Sequence, residues 1–218
     1  MRKTDSELQQ DVIAELNWEP SVHATQIGVE AKDGLVTIVG EVSSQFEKWN
    51  AERATERVKG VTAILNDLSV KISELGQRTD ADIAFSASNV LRWTTLIPTD
   101  AVKVMVENSW ITLSGEVQWQ FQRQAAANSV RHLPGVMGLI NKITIKPAVF
   151  TVLVKSDIDS ALSRIASTSS KTIAVEVKGA NVTLTGTTHS LSEREIASET
   201  AWAAPGVRSV INNITIIH

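Results

Sequence analysis

Apolar residues recur along this chain at two spacings, one typical of helices and one typical of strands. Near the start they fall every three or four residues, which predicts an amphipathic helix with Leu8, Val12, Ile13 and Leu16 on its apolar face. Two stretches follow in which every second residue is apolar, as in strands with one buried face: Ile27, Val29, Val36 and Ile38. Asp33-Gly34 lies between these stretches and is typical of a tight hairpin turn. The pattern therefore predicts a helix followed by two paired strands.

A second helix and a third strand complete this unit, and the whole unit occurs three times. The later first helices carry the apolar residues Ile83, Ala87, Val90, Leu91, Ile158, Leu162 and Ile165. The later paired strands carry Val102, Val104, Ile111, Leu113, Ile173, Val175, Val182 and Leu184. The second helices are predicted to turn small residues toward the sheet, namely Ala51, Ala54, Ala126, Ser129, Ala197 and Thr200. The last strands contain Leu68–Val70, Ile143–Ile145 and Ile214–Ile216.

Two glycines and an asparagine mark each unit at fixed offsets. The three sets are Gly40, Gly60 and Asn66; Gly115, Gly135 and Asn141; and Gly186, Gly206 and Asn212. The second glycine of each set is predicted to supply a left-handed residue at the C-terminus of the second helix. The first helices are predicted to start at Thr4, Thr79 and Ser156. Because the offsets agree without a gap, we predict three tandem domains over residues 4–72, 79–147 and 150–218.

The predicted fold class is α+β, with three tandem αββαβ repeats. Only one face of each predicted sheet is apolar, so both helices must cover the same side of a three-stranded mixed sheet. A unit of about 70 residues buries only a small core, so we expect the repeats to share contacts. Residues 73–77 predict a short linker, whereas residues 147–155 are too apolar for a free tether and are expected to be packed.

The segment Asp33-Gly34-Leu35-Val36-Thr37-Ile38-Val39-Gly40, followed by an amphipathic helix, Gly60-Val61 and Asn66, resembles the BON domain (bacterial OsmY and nodulation). All three repeats resemble it, and together they span nearly the whole chain. The resemblance implies a family of envelope and stress-response proteins with a proposed phospholipid-binding or membrane-associated role. It implies no catalytic residue.

Catalytic and metal chemistry find little support in the residues. The chain has no cysteine, which excludes thiol catalysis and every cysteine-based metal site. The four histidines are His23, His132, His189 and His218, and none has another histidine three or four residues away, the helical spacing of zinc ligands. We therefore predict no catalytic residue, no metal site and no cofactor, and a protein that is not an enzyme.

Charge and the N-terminus bear on partners and location. The formal net charge of −3 makes nucleic acid an improbable partner. The residues after Met1-Arg2-Lys3 are polar, unlike those of a signal peptide, and the most apolar run, Ala148 to Val154, is shorter than the ~20 residues of a membrane span. The sequence therefore predicts a cytoplasmic protein whose membrane contact, if any, is peripheral.

Acidic residues are concentrated in the first repeat. Residues 4–72 contain 12 acidic and 6 basic side chains, residues 79–147 contain 5 and 6, and residues 148–218 contain 6 and 6. Two interpretations stay open: the first repeat docks a basic protein partner, or its carboxylates only keep a helix surface solvated. The sequence contains no polybasic patch that would hold an anionic membrane by charge alone.

Tryptophans supply the candidate binding residues. Trp18 and Trp93 recur at one place, just after the first helix, so we predict that they are core or staple residues. The other four do not recur, and the corresponding residues of the other repeats are mostly polar: Trp49, Trp110, Trp119 and Trp202. These four are either buried between repeats, which is favoured for Trp110, or exposed for contact with a lipid or a partner.

The resemblance and the non-recurrent tryptophans together favour a non-enzymatic, stress-associated module that contacts phospholipid or membrane surfaces. Three linked copies would add avidity to weak single contacts. The alternative is a protein-interaction or holdase-like scaffold without a lipid role, in which the acidic first repeat and the same tryptophans engage a polypeptide.

Overall fold

The order of helices and strands repeats three times, as predicted. The computed structural model describes residues 3–146, 155–164 and 173–217. The first repeat contains α1 (Asp5–Trp18), β1 (Ile27–Lys32), β2 (Leu35–Val42), α2 (Gln45–Arg57) and β3 (Ala63–Val70). The second contains α3 (Asp80–Trp93), β4 (Val102–Glu107), β5 (Trp110–Val117), α4 (Gln120–Arg131) and β6 (Gly138–Ile145). The third contains α5 (Lys155–Ser163), β7 (Ile173–Lys178), β8 (Asn181–Thr188), α6 (Leu191–Trp202) and β9 (Ser209–Ile216).

Each repeat has its own three-stranded sheet, with the second strand in the middle. In the second repeat β4 pairs antiparallel with β5, which pairs parallel with β6. The third repeat has the same pattern over β7, β8 and β9. The central strands alternate buried and more exposed residues, because the helices of each repeat cover one face of its sheet. These features confirm the predicted α+β fold.

An aliphatic core lies between the helices and the sheet of each repeat. In the second repeat it contains Ile83, Ala87 and Leu91 of α3, Ile111 and Leu113 of β5, and Ala126 and Val130 of α4. The predicted small residues of the second helices are also buried or partly buried. Ile13 differs from prediction and is exposed, because Leu8, Val12 and Leu16 already occupy the core face of α1. Ile165 lies outside the described residues.

The first helices of repeats one and two start at the predicted capping residues. Thr4 Oγ1 accepts a hydrogen bond from the Glu7 N–H at 3.2 Å, and Thr79 Oγ1 accepts one from the Asp82 N–H at 3.2 Å. The Glu7 and Asp82 carboxylates in turn accept hydrogen bonds from the two threonines, and these lower the pKa of both carboxyl groups. Ser156, in contrast, is the second residue of α5, which begins at Lys155.

The first signature glycine of each repeat permits a bend in the central strand. Gly40, Gly115 and Gly186 have φ values of 143°, 132° and 131°. At Gly115 an added Cβ would overlap the backbone carbonyl oxygen of Ala101, which accepts a hydrogen bond from the Glu116 N–H at 3.2 Å. Only glycine combines this backbone conformation with such a close approach.

The second signature glycines are left-handed, as predicted, but they do not cap the helix. Gly60, Gly135 and Gly206 have φ values of 104°, 87° and 89° and lie in the turn between the second helix and the last strand. The C-caps of α4 and α6 are His132 and Ala203, both in right-handed helical backbone. Each glycine lies beyond the C-cap because a further turn separates the end of the helix from the last strand.

In the second and third repeats the signature asparagine ties the last strand to the backbone of the second helix. Asn141 Nδ2 donates to the Arg123 carbonyl oxygen at 3.3 Å, and Asn212 Nδ2 donates to the Arg194 carbonyl oxygen at 3.0 Å. In the same strand, Asn212 Oδ1 accepts a hydrogen bond from the Ile214 N–H at 3.2 Å. Each side chain therefore bridges two partly buried backbone groups.

Replacing Asn212 with alanine should lower the free energy of unfolding by about 1–2 kcal/mol, because partly buried backbone groups lose their partners. Urea unfolding of the full chain measures this change. Asn213→Ala is the matched control, since the neighbouring side chain is exposed and its loss should cost less than about 0.5 kcal/mol. Equal losses for the two variants would contradict the bridging role.

Contacts divide the chain into two compact units. One contains residues 1–39, 51–67 and 147–218, and the other contains residues 40–50 and 68–146. In the second unit the first turns of α2 touch α4, where the ring centroids of Phe46 and His132 are 4.1 Å apart. The expected sharing of contacts between repeats is therefore found in this unit. The predicted linker forms a short 3-10 turn, Glu74–Gly76, and residues 147–154 of the second join lie outside the described residues.

Candidate interaction surface

Trp18 and Trp93 are the most exposed tryptophans of the described residues. They are the last residues of α1 and α3, and they are 82% and 83% exposed. The prediction that they are core or staple residues is wrong. Leu16 and Leu91 fill the core two residues earlier, and two residues rotate a helix by about 200°, so the indole rings lie on the solvent side. Their recurrence marks a repeated surface position.

Trp110 packs within its own sheet. Register pairs it with Gly138 of β6, and a Cβ added to Gly138 would overlap the Trp110 ring. The indole therefore occupies the space left by the missing side chain. The residue is 46% exposed, which differs from the burial between repeats that the sequence favoured.

Trp49 and Trp202 are both partly buried, but in different surroundings. The Arg131 guanidinium of α4 lies 4.4 Å from the centroid of the Trp49 ring, so Trp49 makes a contact between the first and second repeats. Trp202, the last residue of α6, packs against the core of the third repeat. Trp202 therefore contacts the core of its own repeat, although the polar residues at the same place in the other repeats predicted a position between repeats or in solvent.

Trp119 replaces a capping residue. At the same place in the other repeats, the hydroxyls of Ser44 and Ser190 accept a hydrogen bond from the backbone three residues later, each at 3.1 Å. At the start of α4 only the bonds in the other direction remain, in which Gln122 Oε1 accepts from the N–H groups of Gln118 and Trp119. A lost N-cap hydroxyl typically costs about 1 kcal/mol. The second repeat has a tryptophan here, with its ring 6.4 Å from that of Phe121.

No aromatic residue of the second repeat belongs to the buried core, which is entirely aliphatic. Phe85 is 71% exposed, Phe121 is 53% exposed and Trp119 is partly buried. Trp93 and Trp110 complete the five aromatic residues between positions 79 and 147. Because the core is filled without them, they are available for contacts outside the repeat.

Four of the exposed or partly buried apolar residues lie at one end of the second repeat, and we name this surface the aromatic end: Trp93, Leu96, Trp119 and Phe121. Helix α3 starts at the opposite end, because the Asp80 carboxylate accepts hydrogen bonds at 2.8 Å from the N–H groups of Asn108 and Ser109 in the hairpin turn. Trp93, at the end of α3, therefore lies far from that turn.

Strand directions bring Trp119 to the same end. Val102 at the start of β4 pairs with Gly115 near the end of β5, so both lie at the end of the sheet away from the hairpin turn. Trp119 follows β5 by two residues, and Leu96 precedes β4 in the loop after α3. The aromatic end thus collects residues from the end of α3, the start of α4 and the two loops at this end of the repeat.

The aromatic end differs in charge from the surface around Trp18. Exposed Arg92, which directly precedes Trp93 in the chain, and exposed Lys103 line a groove of about 410 Å³ together with one acidic residue, Asp100. Trp18 instead lies beside Glu15 and Glu19, which form ion pairs with Arg57 at 2.9 and 3.1 Å. A hydrogen bond from Ser21 to Glu19, with help from Arg57, lowers the pKa of the Glu19 carboxyl.

Many carboxylates of the acidic first repeat are engaged within that repeat. Glu47 is buried and accepts hydrogen bonds from the Ser43 N–H and hydroxyl at 2.8 and 2.7 Å. Glu41 pairs with Lys71 at 3.0 Å, and Asp11 pairs with Lys3. Several carboxylates of the first repeat therefore stabilise the chain itself, and only the remaining ones are available to a partner.

Glu56 on α2 is a partly buried carboxylate with acidic neighbours. Burial raises the pKa of its carboxyl above the ordinary value of 4.5, and Glu52 and Glu195 of α6 raise it further. Arg53, 3.3 Å away, acts in the opposite direction. Because the raised pKa belongs to the folded chain, its contribution to stability is full below pH 4.5 and is lost as the pH rises through the raised value.

Glu56→Gln should therefore raise the free energy of unfolding at neutral pH. The variant should also lose the part of the stability gain that acidification from neutral pH toward 4.5 gives the parent chain. Urea unfolding across this pH window measures both effects. Glu30→Gln, an exposed carboxylate on β1, should keep the parent profile, and an unchanged profile in Glu56→Gln would rule out this source of pH dependence.

Comparisons with known proteins place these features in a family. Across residues 3–146, 155–164 and 173–217, no helix combines the length and the apolar character needed to cross a membrane. The sequence model of the BON domain matches residues 4–72, 79–147 and 152–217. Osmotically-inducible protein Y of Escherichia coli (strain K12) is 27% identical over 146 residues, which cover 65% of this chain and 73% of that protein.

Solved structures give a weaker likeness. Two structures of CdsD, a structural protein of the type III secretion system of Chlamydia trachomatis, align over 97% and 99% of this chain and 92% and 100% of their own. Their identities are 14% and 13% and both TM-scores are 0.26, too low to carry an argument. The matches to the domain model, in contrast, cover almost the whole sequence. The chain therefore belongs to the BON domain family and carries three copies of the domain in tandem.

Proposed function

We propose that this chain is a non-enzymatic binding protein that contacts phospholipid membrane surfaces through the aromatic end of its second repeat. The observation that carries this proposal is the placement of all five aromatic residues of that repeat outside its buried core. The relationship to osmotically-inducible protein Y supports a role in osmotic stress.

The chemistry of the aromatic end suits a membrane surface. An indole ring is apolar over most of its area and carries one N–H donor, so it is favoured at the boundary between lipid and water. Arg92 directly precedes Trp93 and shares a groove with Lys103, and both cations are exposed, so they can approach anionic headgroups. One basic residue near an anionic surface contributes about 1 kcal/mol, so insertion of the rings must supply most of the binding.

Vesicle co-sedimentation of the full chain tests the proposal. Vesicles of phosphatidylcholine alone and of phosphatidylcholine with phosphatidylglycerol would be compared at low and physiological salt, with tryptophan emission recorded. We expect the protein to pellet with the mixed vesicles and its emission to shift to shorter wavelength, as indole leaves water. No pelleting and no shift under any condition would contradict the proposal.

A protein-interaction or holdase-like scaffold is the second candidate, and the uncovered face of the second sheet favours it. Met105 and Ile140 lie on either side of Thr112 in register on that face, and both are exposed, as is Trp110 near the end of the same face. Such a face suits an unfolded polypeptide. Suppression of the aggregation of an unrelated heated protein, reduced by Met105→Ser, would support this candidate over the first.

A further inference from the structure

A cavity of about 280 Å³ lies between α2 and α4, beside Trp49. Its polar lining consists of two guanidinium groups and four side-chain amides: Arg123, Arg131, Gln45, Gln120, Gln124 and Asn141. No carboxylate of the described residues lines it, although the whole chain has a formal net charge of −3. This concentration of donors without acidic groups is what an anion requires.

Contacts within the second unit hold the Arg131 side chain and the backbone at Arg123 in place. The Arg131 guanidinium stacks over the Trp49 ring, 4.4 Å from its centroid, and its Nη1 donates to Asn128 Oδ1 at 2.8 Å. Asn141 fixes the backbone at Arg123 through its hydrogen bond to the carbonyl oxygen. Among the described residues, no carboxylate lies within ion-pair distance of the Arg123 guanidinium. Its charge is therefore not neutralised by the protein.

The fold itself does not require this pair of arginines. Every repeat has a cation at the place of Arg123, namely Lys48 in the first and Arg194 in the third, but Glu56 and Trp202 stand at the place of Arg131. Only the second repeat combines cations at these two places. Since the other repeats fold without the pair, its presence needs an explanation other than stability.

We propose that this cavity binds the phosphate group of a small phosphorylated ligand. A guanidinium presents parallel N–H donors that match two oxygens of a phosphate, and the amides of Gln45, Gln120 and Gln124 supply neutral donors around it. The volume lies at the lower limit of small-molecule sites, so the ligand has few atoms beyond its phosphate. A free phosphate ester and a lipid headgroup share this chemistry. The six polar residues of the cavity do not include any residue of the aromatic end.

Isothermal titration calorimetry of the full chain with inorganic phosphate and with glycerol 3-phosphate tests the site, in a low-salt buffer free of phosphate. We expect saturable binding at one site per chain, weakened about tenfold or more in Arg123→Gln, because a charge-assisted hydrogen bond is lost. Arg164→Gln is the matched control, since this exposed arginine lies in the third repeat and its removal changes the net charge equally.

Gln124→Glu provides a second variant that the helix should tolerate. The third repeat carries Glu195 at the same place, and the substitution keeps the side-chain length while it adds a negative charge to the cavity. We expect it to weaken phosphate binding as strongly as Arg123→Gln, with an unchanged circular dichroism spectrum and melting temperature. If Arg123→Gln unfolds the chain, Gln124→Glu still tests whether the cavity binds phosphate.

The two sources of the phosphate are separated by sedimentation with vesicles containing phosphatidylglycerol. Binding of glycerol 3-phosphate, with vesicle binding unaffected by Arg123→Gln, identifies a free ester. The ligand is a lipid headgroup if Arg123→Gln and Gln124→Glu both weaken vesicle binding and neither inorganic phosphate nor glycerol 3-phosphate binds. Absence of Arg123-dependent binding to every probe, or equal weakening by Arg164→Gln, overturns the site.

Discussion

Replacing Trp93 with serine is expected to weaken binding to vesicles containing phosphatidylglycerol about tenfold or more. Large aromatic residues at the centre of a binding surface commonly contribute about 2 kcal/mol or more, and about 1.4 kcal/mol corresponds to a factor of ten. Because Trp93 is 83% exposed and its ring lies outside the core, the free energy of unfolding should change by less than about 0.5 kcal/mol. Sedimentation titrations and urea unfolding of the same preparations measure the two quantities.

Trp18→Ser is the matched control for this prediction. The two tryptophans end equivalent helices and are equally exposed, so the substitutions remove the same apolar surface. Trp18 lies beside Glu15, Glu19 and Arg57, and the two carboxylates neutralise the charge of the arginine, so Trp18→Ser should retain most of the vesicle binding. Equal losses would show that the aromatic end has no special role, and no loss in either variant would exclude contact through these helices.

Replacing Gly115 with alanine should lower the free energy of unfolding by about 3 kcal/mol or more. The new Cβ would overlap the Ala101 carbonyl oxygen, which is fixed by its hydrogen bond to the Glu116 N–H, and alanine is itself strained at a φ of 132°. The backbone between β4 and β5 must shift, and the hydrogen bonds on both sides of the bend weaken. Urea unfolding followed by far-ultraviolet circular dichroism measures the loss.

Gly179→Ala separates the two causes. Gly179 also has a positive φ, 62°, but an added Cβ would meet nothing within 4 Å. This variant should lose only the cost of a left-handed alanine, about 1–2 kcal/mol. If both variants lost the same amount, the close approach of Ala101 would have no energetic weight.

The sequence was sufficient to predict the fold because local signals agreed at every level. Asp33-Gly34 predicted the first hairpin, and both residues do have positive φ. The equal offsets to Asn141 and Asn212 predicted copies of one unit, and both asparagines indeed donate to the backbone of their second helix. Such features depend on residues close in sequence, where spacing determines geometry.

The surface was harder to predict, for two different physical reasons. Trp18 follows the buried Leu16 by two residues, so helical spacing alone places it on the solvent side; its recurrence misled because a repeated residue was equated with a buried one. The cavity could not be predicted, because Trp49 and Arg131 come from different repeats and meet only through the packing of α2 on α4. Periodicity within one repeat carries no information about how another repeat packs on it.

The placement of each central strand has a consequence for the order of folding. Strand β5 pairs with β4 across a two-residue turn, but it pairs with β6 only after α4 has crossed the core. Closing a short loop costs less chain entropy than closing a long one, so the antiparallel hairpin can form first and the parallel pair last. During synthesis from the N-terminus, the hairpin of the second repeat would thus form before that of the third. In each of these repeats the sheet is complete only after the second helix and the third strand have been synthesised.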